Sequence, residues 1–188
     1  MIVARKKRKE NISEYLLYMW QVEDILRALK LDTEAITSYV KNQYRLEEPL
    51  QSETLQWYLS LRDELIASGA TAEGHLPQLS KLIEHLGSLH KALLEDPTQG
   101  IYSALFYKTL PYLVHLRTKQ KSSKPVGEIE TAYIAVYGYM TLRLKGDEVS
   151  PSTMEAIRQI SLFLAMLADR FHAVEEGEIS LSHFPTNA

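Results

Sequence analysis

The sequence predicts an all-α protein, an antiparallel multi-helix bundle of six or seven helices. Three observations lead there. Leucine dominates the apolar residues while strand-forming residues are thin, apolar positions recur at spacings of three and four, and no stretch alternates as a half-buried strand does. With 188 residues, 45% hydrophobic and 24% charged, the chain fits one globular domain that buries its own core. The expected organisation is therefore a single domain over residues 1–188, with a basic N-terminal arm (1–10) and an irregular C-terminal tail (177–188).

The first predicted helix is the clearest. Asn11 and Glu14 make an N-x-x-E start, in which a side-chain oxygen covers orphan backbone donors. Ile12, Tyr15, Met19, Val22, Leu26 and Leu29 then form one continuous seam, widened by Leu16, Tyr18 and Ile25. Trp20 falls on the side away from that seam. Asp32 is placed to cap a second helix over 33–46, stopped by Pro49, and Ser52 to cap a third over 53–68. Gly69 suits the left-handed position after its end.

Pro77 is tolerated in the first turn of a fourth helix, whose inward face is Leu76, Leu79, Leu82, Ile83, Leu86, Leu89 and Leu93. Asp96-Pro97 ends it. A fifth helix starts near Thr98 with Tyr102, Leu105, Phe106, Leu110, Leu113 and Val114 inward, and Pro111 must kink or split it. The polar, basic run RTKQKSSKP (117–125) reads as a mobile loop. A sixth helix spans 128–144, with small residues Ala132, Ala135 and Gly138, and ends at Gly146. Ser150-Pro151, with Ser152 and Glu155 as a further capping pair, opens a seventh, whose seam is Ile157, Ile160, Leu164, Leu167, Phe171 and Val174. The helices beginning at 12, 77 and 151 form the core.

Charge and cysteine content narrow the function classes. With no cysteine there is no disulfide, thiolate metal site or cysteine nucleophile. The whole chain sums to −3, so with five positive charges in residues 5–9 the remainder sums to −8. Such a body has no general affinity for nucleic acid, and any such affinity is local. The longest apolar stretch near the start, 15–20, is too short and too acid-flanked for an export signal or a membrane span, which predicts a cytoplasmic protein.

The opening block RKKRKENISEYLLYMWQVEDILRALKL (5–31) resembles the start of an uncharacterised bacterial family of all-helical proteins, a domain of unknown function. The resemblance implies a helical, cytoplasmic bacterial protein with no assigned activity. It carries no catalytic or binding residue to transfer.

The polar constellations are sparse. A di-metal bundle needs two Glu-x-x-His-like half-sites, and only Asp169 and His172 supply one, so a surface cluster near a helix end is the plainer reading. His90 falls on a seam, where it is either a site residue or a core histidine satisfied by a carbonyl or a tyrosine hydroxyl; the core role is the more common one. His85 lies toward the polar side, and His115 has no evident partner. Eleven tyrosines against four phenylalanines suit half-buried boundaries or a surface that meets a partner. No catalytic triad, phosphate loop, paired zinc motif or cofactor motif is present.

Two basic segments are the strongest polar signal: Arg5, Lys6, Lys7, Arg8 and Lys9, and Arg117, Lys119, Lys121 and Lys124. The first stands just before the helix at 12, where positive charge opposes the helix dipole and suggests retention for an anionic partner. The expectation is a non-catalytic helical interaction protein without cofactor or metal, self-associating or binding a protein partner. The rival reading is a nucleic-acid-associated protein using the two basic segments.

Overall fold

The computed structural model describes residues 1–119, 126–182 and 184. Eight α-helices appear among them: α1 (Ile2–Glu10), α2 (Ile12–Ala28), α3 (Thr33–Tyr44), α4 (Leu50–Ala67), α5 (Pro77–Glu95), α6 (Gly100–Lys119), α7 (Glu128–Lys145) and α8 (Pro151–Glu175). A single 3-10 turn, Pro97–Gln99, precedes α6. The described residues contain no strand, so the protein is all-α. None of these helices is long and apolar enough to cross a membrane.

The helix beyond the predicted seven is α1. Residues 2–10, expected as an arm, contain neither glycine nor proline and consist largely of good helix formers. Ala4 is the buried contact, and α1 folds back on α2 as a hairpin: Lys7 pairs with Glu14 at 2.8 Å, and the Tyr18 hydroxyl donates to the Met1 sulfur at 3.4 Å. Asn11 makes the corner. Its extended backbone (φ −158°) ends α1, its N–H reaches the Lys7 carbonyl at 2.8 Å, and its side chain accepts from Glu14 N–H at 3.0 Å to start α2. The cap is as expected from the sequence. The dipole argument reverses: Lys7, Arg8 and Lys9 occupy the last turn of α1, where positive charge is stabilising.

The chain divides into two compact units, Met1–Lys81 and Leu82–Ala188. In the first, α3 and α4 run antiparallel, since Thr33 is bonded by Arg62 at one end and Tyr44 meets Tyr58 at the other. Its core comprises Leu16, Met19 and Leu26 of α2, Ile36 and Val40 of α3, Tyr58, Leu61 and Leu65 of α4, and Leu76 and Leu79. Asp32 caps α3 by accepting from Ala35 N–H at 2.8 Å. Helix α4 starts at Leu50, ahead of the predicted start, because Glu48 rather than Ser52 supplies the capping oxygen. The Glu48 carboxylate accepts from both the N–H and the hydroxyl of Ser52. Gly69 takes the expected left-handed conformation (φ +74°) beyond the helix.

In the second unit α6 runs antiparallel to α8: Tyr102 and Phe106 meet Phe163, while Thr109 accepts from Gln159. All six seam residues of α8 are buried, together with Phe163 and Ala168, and Leu86, Leu89 and Leu93 of α5 join them. Ser150 caps α8 by accepting from Thr153 N–H, and Glu155 pairs with Arg158 instead of closing a capping box. Pro111 lies inside α6 at an exposed position and does not split it, and Val114 points outward, contrary to expectation. The described part of the tail is non-helical and buries Leu181 and Phe184.

Candidate functional site

Trp20, Glu23 and Arg27 stand at i, i+3 and i+7 on α2 and so share one face, across which residues 70–76 fold. Glu23 is 0% exposed. Its Oε2 accepts from Nδ1 of His75 at 2.7 Å, and its Oε1 accepts from the backbone N–H of Leu76, also at 2.7 Å. Trp20 lies flat on His75, with ring centroids 4.3 Å apart and planes 7° from parallel. Arg27 donates to the carbonyls of Ala70 at 3.0 Å and Gly74 at 2.6 Å, to Asp24 at 3.3 Å, and stands 4.0 Å from Glu23.

The chemistry of this arrangement is definite. A carboxylate only accepts, so the ring proton that His75 shares with Glu23 resides on Nδ1. The His75 side chain is 27% exposed. The arrangement orients an imidazole, and it also satisfies the turn that leads into α5. Among the described residues, no three His, Cys, Asp or Glu side chains gather as a metal site would require.

Sequence reasoning missed this cluster and placed Trp20 on the outer side of its helix. Glu23 lies four residues after Met19 and three before Leu26, which is a seam position, and an acid there was the available signal. Its partner is fifty-two residues away and has no local mark.

In the second unit His90 is buried, and its Nδ1 lies 2.7 Å from the Tyr102 hydroxyl. Phe106 and Phe163 meet the ring edge-on at 4.5 and 5.6 Å. Burial lowers its pKa to about 4; nearby Glu128 works the other way and Lys91 adds to the depression. His90 is thus the core histidine satisfied by a tyrosine hydroxyl. His85 faces the rings of Phe171 and Phe184 rather than the polar side. Asp169 pairs with Arg170 at 2.9 Å, while His172 lies 3.6 Å from Glu175, so Asp169 and His172 do not form a half-site.

Tyr58, Tyr102 and Tyr133 are fully buried, and the hydroxyls of Tyr44 and Tyr58 meet at 2.6 Å. Tyr39 and Trp57 present edges to the Tyr58 ring.

The basic segments fall in different units. Arg5, Lys6 and Lys9 are exposed and Lys7 and Arg8 half-buried on α1, with Lys6 3.9 Å from Glu10. Arg117 is engaged within its unit. It donates to Glu128 at 3.1 Å, to the Thr131 hydroxyl at 3.1 Å and to the Val126 carbonyl at 2.6 Å, tying the end of α6 to the start of α7. Burial raises the Glu128 pKa, but its backbone N–H and Arg117 outweigh this and hold it below the ordinary value. Lys119 closes α6; Lys121 and Lys124, with most of the predicted 117–125 loop, lie outside the described residues.

No curated protein and no solved structure matches the chain. The family model described as a domain of unknown function, DUF4924, matches residues 1–178, which is nearly the whole chain, and the protein belongs to that family.

Proposed function

We propose that the protein is a non-catalytic helical interaction protein that self-associates, a second copy of the chain covering the outer half of α7. The observation that supports this reading is a mismatch between composition and burial. Residues 134–142, IAVYGYMTL, carry no charge, yet beyond Tyr133 no residue of α7 is buried. Leu142 is 41% and Leu144 80% exposed. A helix on the surface of a monomer normally turns a charged face to water. Here the first charge after Glu130 is Arg143, so apolar and aromatic groups take that place.

Tyr137, Tyr139 and Met140 are residue types enriched where proteins meet. Gly138 is exposed, and a Cβ built on it meets no heavy atom within 4 Å, so the small residue does not serve packing inside the chain. A twofold contact would set this face against its own copy, as closed dimers do. The histidines with buried partners serve the fold in this reading: His90 fills the aromatic core and His75 holds a turn.

Sedimentation equilibrium of the full chain tests it. Self-association is expected at micromolar concentration, and Leu142→Glu with Leu144→Glu should yield a monomer with unchanged helix content. A wild-type chain that stays monomeric up to about 100 μM, a binding free energy weaker than about −5.5 kcal/mol, overturns it.

A further inference from the structure

We propose that the outer face of α1 is a docking surface for an anionic lipid bilayer, with the helix lying in the membrane plane. The face is defined by helical geometry. Ala4 is the buried residue of α1, and at 100° per residue Ile2, Lys6 and Lys9 lie roughly opposite it. Arg5 flanks them on one side, Val3 and Glu10 on the other. Burial agrees: Ile2 is 61% and Val3 40% exposed, and Arg5, Lys6 and Lys9 are exposed. The two other cations point elsewhere in the helical projection, and Lys7 is bonded to Glu14 of α2.

Charge complementarity selects an anionic partner. Five cations and one acid stand in the nine residues of α1, on a chain that is otherwise acidic. Lys6 and Glu10 are both well exposed at 3.9 Å, a separation at which water competes for both. The aliphatic residues then choose between anionic partners. A phosphate backbone is served by cations alone and leaves Ile2 and Val3 in water. A bilayer takes both groups, with cations among the headgroups and the exposed aliphatics at the acyl boundary. The aliphatic side chains stand at one end of the face, so that end enters deepest. The proposal does not depend on self-association.

Flotation of the full chain with vesicles tests the proposal, comparing phosphatidylcholine alone with vesicles of about one-third phosphatidylglycerol. Binding is expected only to the latter and should weaken with salt. Arg5→Gln, Lys6→Gln and Lys9→Gln together should lower the partition coefficient by about a hundredfold. Ile2→Ser with Val3→Ser should lower it by about tenfold while leaving the charge unchanged. All five positions are exposed, and circular dichroism checks that the helices survive; Lys6→Gln with Lys9→Gln is the smaller test should the triple variant misfold. Absence of flotation with phosphatidylglycerol at low salt overturns the proposal. So does equal binding by the Ile2→Ser/Val3→Ser variant accompanied by tight, salt-sensitive binding to duplex DNA, which would assign the cations to nucleic acid.

Discussion

Glu23 accepts a 2.7 Å hydrogen bond from His75, and the same buried carboxylate accepts from the backbone N–H of the next residue, Leu76. One side chain on α2 thereby satisfies the entry to α5, and Arg27 holds the two carbonyls upstream of it. Removing the carboxylate leaves the buried Leu76 N–H without an acceptor and the His75 ring without its partner, while Arg27 keeps Asp24. Glu23→Ala should therefore cost about 2–4 kcal/mol. Glu23→Gln keeps one acceptor oxygen and should cost less, about 1–2 kcal/mol. Urea denaturation of both variants reads the difference; a Glu23→Ala protein as stable as wild type would show that the turn is held by other contacts.

His90 gives the fold a dependence on acid. An unperturbed histidine titrates near 6.5, and burial brings His90 down to about 4 in the folded chain. Below 6.5 the unfolded chain takes up a proton that the folded chain refuses. The stability associated with neutral His90 is thus complete above pH 6.5 and is lost as pH falls toward 4, by about 3 kcal/mol in all. His90→Phe should flatten this part of the pH–stability curve. At neutral pH it strands the buried Tyr102 hydroxyl and should cost about 1–3 kcal/mol, while His90→Phe with Tyr102→Phe should recover most of that loss. Thermal unfolding at pH 7 and pH 4.5 provides the cycle. An unchanged acid slope in His90→Phe would place the titration elsewhere.

The legible parts of the fold are those written in local patterns. The seam of α8 from Ile157 to Val174 and the caps at Asn11 and Asp32 could be read directly, because periodicity and capping depend on residues within a turn or two. Helix α1 was harder, since two turns rich in lysine and arginine resemble a solvated arm, and what holds them is the contact of Ala4 and Lys7 with the following helix. The turn after α2 had no signal at all. Lys30 and Leu31 adopt positive φ (55° and 56°) without glycine, in a helix-end closure where their N–H groups return to the Arg27 and Leu26 carbonyls at 2.8 and 3.0 Å.

The candidate site was illegible for a different reason. His75 lies on no seam and Glu23 looked like one more acid; only the fold brings them together, with Trp20 turned inward by the same contact. His90 was legible because a polar residue on a leucine face must find a partner, and a tyrosine-rich chain offers one.

Gly87 offers a test of how α5 is built. It sits in the interior of Pro77–Glu95, flanked by the buried Leu86 and Leu89, and has no need of a left-handed backbone. A Cβ placed there meets no heavy atom within 4 Å. Glycine in a helix interior gives up more conformational freedom on folding than alanine and adds no contact. Gly87→Ala should therefore stabilise the protein by about 0.5–1 kcal/mol. A raised urea midpoint with an unchanged slope is the expected result. A lowered midpoint would mean that the space beside Gly87 is filled in solution, by movement of the chain or by a second copy, and that α5 belongs to the contact surface.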